Sequence, residues 1–150
     1  MIDGTDLPYA DTTVSLEKSK AEIDRLLRKF GCIGIQWTWL EGKETLRFMH
    51  EFELKGVKKG ITFEISIPEI SRQTGRRYDK KTVRNDRQAY RIVVHIIKAK
   101  LTAVETGTET FENEFLSKIL YHLPDGRSAK VGDIILNQIA ESKPVELLES

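Results

Sequence analysis

The chain has a single cysteine, four prolines and no long apolar run. With Cys32 alone no internal disulfide can form, so the cytoplasm is the expected compartment. Cys32 lies between Gly31 and Ile33 at a strand start, which suits a small buried hydrophobe better than a reactive thiol. No stretch approaches the length of a membrane span. The opening residues, MIDGTDLPYADTT, lack the basic start and apolar centre of a signal peptide. His50, His95 and His122 fall on a strand, a helix and a turn with no metal-ligand spacing, and His50 reads as a hydrogen-bonded core histidine. GCIG is too short for a phosphate-cradling loop and no Lys-Ser/Thr follows it. LPDG lacks the alternating acids of a calcium loop. Glu53-Leu54-Lys55 matches half of a nuclease metal site, but the neighbouring strand brings no Asp. There are no repeats and no low-complexity segments. These absences exclude the common catalytic, metal and cofactor classes, and the expectation is a protein that is not an enzyme and takes no cofactor.

What the chain does have is unevenly placed charge. Residues 1–54 hold 7 Lys/Arg against 10 Asp/Glu, residues 55–100 hold 13 against 4, and residues 101–150 hold 4 against 9. A net charge of +1 therefore hides a basic middle between two acidic ends, an asymmetry that points to a polyanionic partner. The region 71–100, SRQTGRRYDKKTVRNDRQAYRIVVHIIKAK, reads as a flexible basic loop (71–79) followed by a long amphipathic helix. At about 100° per residue, Lys80, Arg84, Arg87, Arg91, His95 and Lys98 fall within roughly 80° of arc. Val83, Tyr90, Val93, Val94, Ile97, Leu101 and Val104 fill the adjacent arc. Asp79 and Asp86 are the only acids between Arg72 and Lys100, so i, i+4 pairing cannot neutralise the stripe. Arg72, Arg76, Arg77 and Tyr78 surround Gly75, a mix suited to phosphate contact and base stacking.

The remaining pattern indicates a single α+β domain over 1–150. Residues 1–14 read as an arm, with an edge strand over 12–16. A helix follows, opened by the capping-box spacing of Ser19 and Glu22 and closed by Gly31. Three antiparallel strands form a meander: CIGIQWTWL, the segment with Leu46, Phe48, His50, Phe52 and Leu54 on one face, and ITFEISIP. A turn at residues 41–43 and a loop KGVKKG join them. Ile33, Ile35, Trp37 and Trp39 share one side; packed on Phe48, Phe52 and Phe63 they are core, and left open the tryptophans are a stacking platform. The long helix spans about Asp79 to Val104. Residues 105–150 read as an acidic helical tail: a helix from Thr108 through Leu120, a turn at 122–126, a last helix from Lys130 to Glu141, a break at Pro144 and a loosely docked VELLES.

Two resemblances bear on this order. Helix, three antiparallel strands, helix over 19–100 is similar to the order of double-stranded-RNA-binding domains, with Lys80, Lys81 and Arg84 where those domains place a basic cluster. The runs LPYADTTVSLEKSKAEIDRLLRKFG, IIKAKLTAVETGTETFENEFL, LPDGRSAKVGDIILNQI and PVELL resemble a family of small uncharacterised bacteriophage and prophage proteins. That resemblance covers nearly the whole chain. It implies a phage origin, a host cytoplasm, and either phage DNA metabolism or interference with host defence; it carries no site residues.

The expectation is a nucleic-acid-binding protein, with single-stranded DNA in replication or recombination as target. Its site is Arg72, Arg76, Arg77, Tyr78, Lys80, Lys81, Arg84, Arg87, Arg91 and Lys98. The alternative is a protein-binding inhibitor of a host defence system, using Glu105, Glu109, Glu112 and Glu114 as an acidic patch. A homo-oligomer built through the small sheet is a further expectation.

Overall fold

The computed structural model describes residues 1–142. Pro144 and the terminal VELLES lie outside the described residues. No helix among the described residues is long and apolar enough to cross a membrane. The architecture is α+β. Strand β1 (Ile2–Asp3) comes first, then helix α1 (Leu16–Lys29). Residues 12–16 form no strand. The helix starts earlier than the Ser19–Glu22 spacing suggests: Ser15 is the cap, its Oγ accepting from the Lys18 N–H at 3.2 Å. Leu16 extends the apolar stripe of Ile23 and Leu27, which carries Ser19 into the buried interior and turns Glu22 toward the second long helix. Gly31 ends α1 at φ 86°, with its N–H on Arg28 O (3.0 Å) and the Cys32 N–H on Leu27 O (3.1 Å).

The meander is β2 (Ile33–Leu40), β3 (Lys43–Leu54) and β4 (Val57–Ser66), in that spatial order. Both connections are two-residue turns: Glu41-Gly42 at φ 52° and 78°, Lys55-Gly56 at φ 52° and 77°. Positive φ at both positions matches the right-handed strand twist. The KGVKKG segment is thus strand from Val57 onward rather than loop. Leu46, Phe48, Phe63 and Ile65 are buried under α1 and the later helices. A bulge between Ile33 and Gln36, where Gly34 has φ 61°, turns Ile33 to the outer face opposite Met49. Ile33 is exposed, and so is Trp39 at 57%; Trp37 packs on the core from the rim. Of the tryptophan pair expected in the core, only Trp37 is there.

The larger revision lies between β4 and the next helix. Strands β5 (Ile70–Thr74) and β6 (Lys81–Arg84) form an antiparallel hairpin, and β1 pairs parallel with β5. Helix α2 (Asp86–Glu105) therefore starts after Asn85, not near Asp79. Asn85 Oδ1 accepts from the Gln88 N–H, and the Asn85 N–H is held by Ile70 O at 2.7 Å, so the cap and the strand root form one unit. The helix–three-strand–helix order is interrupted by this hairpin.

After α2 come the single-turn α3 (Phe111–Glu114, capped by Thr110), a 3-10 turn (Leu116–Lys118), β7 (Leu120–His122), β8 (Ser128–Lys130) and α4 (Val131–Glu141). The expected helix from Thr108 through Leu120 is only that one turn. Phe111 and Phe115 pack edge-on against the stacked Phe48–Phe63 pair, with ring centroids across the cluster 4.8–6.4 Å apart. This part of the tail belongs to the core.

Candidate nucleic-acid interface

The predicted stripe does not hold together. Lys80, Lys81 and Arg84 precede α2, so the projection from Lys80 is not one helix face. On α2 itself, Arg91 is buried and its Nη2 donates to Glu22 Oε2 at 2.6 Å. Lys98 Nζ lies 2.6 Å from the other oxygen, Oε1. Lys98 first, then Arg91, hold the Glu22 carboxyl at about 2 against the raising effect of burial. His95 lies between them with its ring stacked on Tyr9, centroids 4.5 Å apart and 10° from parallel. Burial, then Arg91 and Lys98, lower its pKa. This stripe is the seam between α1 and α2. A phosphate chain cannot reach Arg91 and would compete with Glu22 for Lys98. Arg84 is also engaged: it donates to Gly42 O at 3.0 Å, lies within 3.5 Å of Asp86 and Glu69, and sits 5.2 Å over the Trp39 ring.

The hairpin is different. Residues 72–82 are all exposed. Arg72, Arg76, Arg77, Lys80 and Lys81 have no ion-pair partner within 4.0 Å among the described residues. Asp79 is the one acid in the loop. Tyr78 is 94% exposed, with the Arg77 guanidinium 5.8 Å from its ring. In the ladder Arg72 faces Val83 and Thr74 faces Lys81, placing Arg72 and Lys81 on one side of the ribbon. Gln73 Nε2 donates to Thr82 Oγ1 at 2.9 Å on the other side. The turn needs Gly75: at φ 100°, a Cβ there would meet Asp79 O at 2.2 Å.

The root of the hairpin is braced by the N-terminal arm. Gln88 Nε2 donates to Gly4 O at 2.8 Å, with Pro8 O and Leu7 O at 3.1 and 3.3 Å. Asn85 Nδ2 reaches Ala10 O at 3.3 Å. A Cβ on Gly4 would lie 2.2 Å from Gln88 Oε1, so only glycine fits under the strap. Residues 10–13 and Arg72, Arg84, Asn85, Asp86 and Arg87 line an open polar cleft of about 540 Å³. Arg87, exposed and unpaired among the described residues, is part of that lining. Sequence reasoning missed Gln88, whose only signal was an uncharged amide on the apolar side of α2.

The histidines and the cysteine serve the fold. His50 Nδ1 lies 2.9 Å from Glu112 Oε1 and Nε2 lies 3.1 Å from Phe30 O, with the ring stacked on Phe111. It pins three elements together. His122 Nδ1 pairs with Ser128 Oγ across β7–β8 at 2.9 Å. Burial pushes the Cys32 thiol up to about 12. Among the described residues no three His, Cys, Asp or Glu side chains converge as metal ligands. Of the acidic patch, Glu112 is taken by His50, and Glu114 lies 3.6 Å from Lys100. No family model, no curated protein and no solved structure matches the chain.

Proposed function

We propose that this chain is a non-catalytic nucleic-acid-binding protein of phage origin whose β5–β6 hairpin lies along a phosphate backbone, with single-stranded DNA as its target. The observation that carries this is the group of cations at Arg72, Arg76, Arg77, Lys80 and Lys81, unpaired among the described residues on one projecting ribbon. Holding like charges together without counter-ions is unfavourable, and a bound phosphate chain relieves it. Tyr78 at the tip offers a free ring face to an unpaired base, which supports a single strand over a duplex. Arg87 extends the basic track toward the cleft, whereas Arg84, Arg91 and Lys98 serve the fold.

The test is a fluorescence-anisotropy titration of a labelled single-stranded oligonucleotide at several salt concentrations, with duplex as competitor. Four to five phosphate contacts predict log K falling against log salt with a slope of about −3. A protein that does not bind at low salt overturns the reading. The host-defence alternative is weaker, because two of its four carboxylates already have partners within the fold.

A further inference from the structure

The free edge of the meander is a second surface, with the opposite character. β2 contacts β3 and α1, and its outer edge meets no strand among the described residues. Residues 30–40 are also the longest run in the chain without Lys, Arg, Asp or Glu. Natural sheets guard an open edge with lysines, prolines or bulges. The one such device here is the bulge at Ile33/Gln36, which leaves residues 36–40 in regular register. On that regular stretch Trp39 and Leu40 are 57% and 68% exposed. The far edges of the two three-stranded sheets that lie opposite β2 and β1 carry lysines: Lys58 and Lys59 on the open part of β4, Lys81 on β6. Pairing either of those with a second copy would set cation against cation, whereas β2 brings none.

We propose that β2 is a homodimer interface, in which residues 36–40 pair antiparallel with the same residues of a second copy about a two-fold axis at Thr38. Two meanders then join into one six-stranded sheet with both inner faces on the same side. The two-fold sets Trp37 against Trp39 of the second copy on the inner face, and Gln36 against Leu40 of the second copy on the outer face. The unpaired N–H and C=O groups of both edges are satisfied at once. The ladder is short, so the interface lies at the small end of specific ones and the dissociation constant should be on the order of 10 µM. This inference does not depend on what the hairpin binds.

Sedimentation of the full chain from about 1 to about 200 µM should show the 17.2 kDa monomer converting to a species of twice that mass. The variant Gln36→Lys/Leu40→Lys places lysine against lysine at both ends of the ladder and should weaken association at least about tenfold. The variant Gln36→Lys/Leu40→Glu places lysine against glutamate and should restore it, with circular dichroism confirming that both variants are folded. Residues 36 and 40 are exposed in the protomer, so neither change disturbs its core. A wild-type chain that stays monomeric throughout overturns the proposal, as does a Lys/Lys variant that associates normally. Failure of the Lys/Glu variant to recover overturns the pairing about Thr38.

Discussion

Along α2, Arg91 and Lys98 reach across to a single Glu22 carboxylate; along the β5–β6 hairpin, Arg72, Arg76, Arg77, Lys80 and Lys81 reach no acid within ion-pair distance among the described residues. In sequence the two regions look alike, both basic and poor in nearby acid. They differ in what the fold brings opposite them. The counter-ion for α2 comes from α1, 69 residues earlier than Arg91, and no local spacing rule reaches that far. The hairpin is held by β1 and α2 only at its root, and residues 72–82 beyond it are exposed, so no acid is brought to its cations among the described residues. A cation is available to a partner only where tertiary structure leaves it without a counter-ion. Local charge density is a poor guide to that.

The comparison breaks first at Glu22. Glu22→Ala leaves Arg91, which is 8% exposed, without its acceptor and removes the salt bridge to Lys98. Stripping a buried cation of its partner should cost about 3 kcal/mol. Urea denaturation should show this as a lower midpoint. Oligonucleotide affinity of the folded variant should be unchanged if, as proposed, the hairpin and not the α2 seam holds the strand. A variant as stable as wild type would mean that the seam contributes nothing.

The mirror experiment is on the hairpin. Arg76→Ala/Arg77→Ala/Lys80→Ala removes three exposed cations that have no ion-pair partner among the described residues. Affinity for a single-stranded oligonucleotide should fall on the order of 100-fold, and the salt slope should shrink by about 2. The denaturation midpoint should move little, since surface changes of this kind stay within about 0.5 kcal/mol. Lys98→Ala is the matched control, with its main effect on stability. If it weakens binding as much as the triple change, the two regions are one site after all.

Acid should separate them further. The Glu22 carboxyl titrates at about 2 in the fold against 4.5 ordinarily. A depressed carboxylate contributes stability that is fully present above the ordinary value and is lost as pH falls toward the folded one. Between pH 7 and pH 3 the wild type should therefore lose about 1–2 kcal/mol more than Glu22→Gln, after allowing for solvent screening at a partly exposed group. Denaturation of both proteins at the two pH values measures the difference directly. Equal losses would show that the Lys98 and Arg91 contacts do not bias Glu22.

Much of the frame was legible because it follows from short-range rules. The alternation through Leu46, Phe48, Phe63 and Ile65 marks the buried face of the meander. Gly42 and Gly56 supply the positive φ that its turns need. Gly31 ends α1 where the pattern puts it. What was hidden depends on long-range pairing. Residues 70–84 contain few apolar side chains beyond Ile70 and Val83, so no period marks them as strands. Their pairing is fixed by the Asn85–Ile70 link and by β1, some 68 residues away. The position of Trp39 turned on a sheet edge that no alternation rule can identify. At α1 the cap is Ser15 and not the expected Ser19, because Ser19 is buried in the interior and Leu16 packs on the core.

The finest form of the comparison is between two tyrosines. Tyr9 lies on the α2 side with one ring face stacked on His95. Tyr78 stands at the hairpin tip with 94% of its surface in water. Stacking of one base on an aromatic ring contributes about 1 kcal/mol or somewhat more, so Tyr78→Ala should weaken single-strand binding about 5- to 10-fold. The salt slope should not change, because no phosphate contact is removed. Tyr78→Phe keeps the ring and should bind as wild type does. Competition with duplex should lose its preference in Tyr78→Ala, since a paired base offers no face to stack on. An unchanged single-strand affinity would leave the hairpin as a backbone clamp with no role for the tip, whereas loss of both affinity and salt slope would mean that Tyr78 shapes the turn carrying Arg76, Arg77 and Lys80.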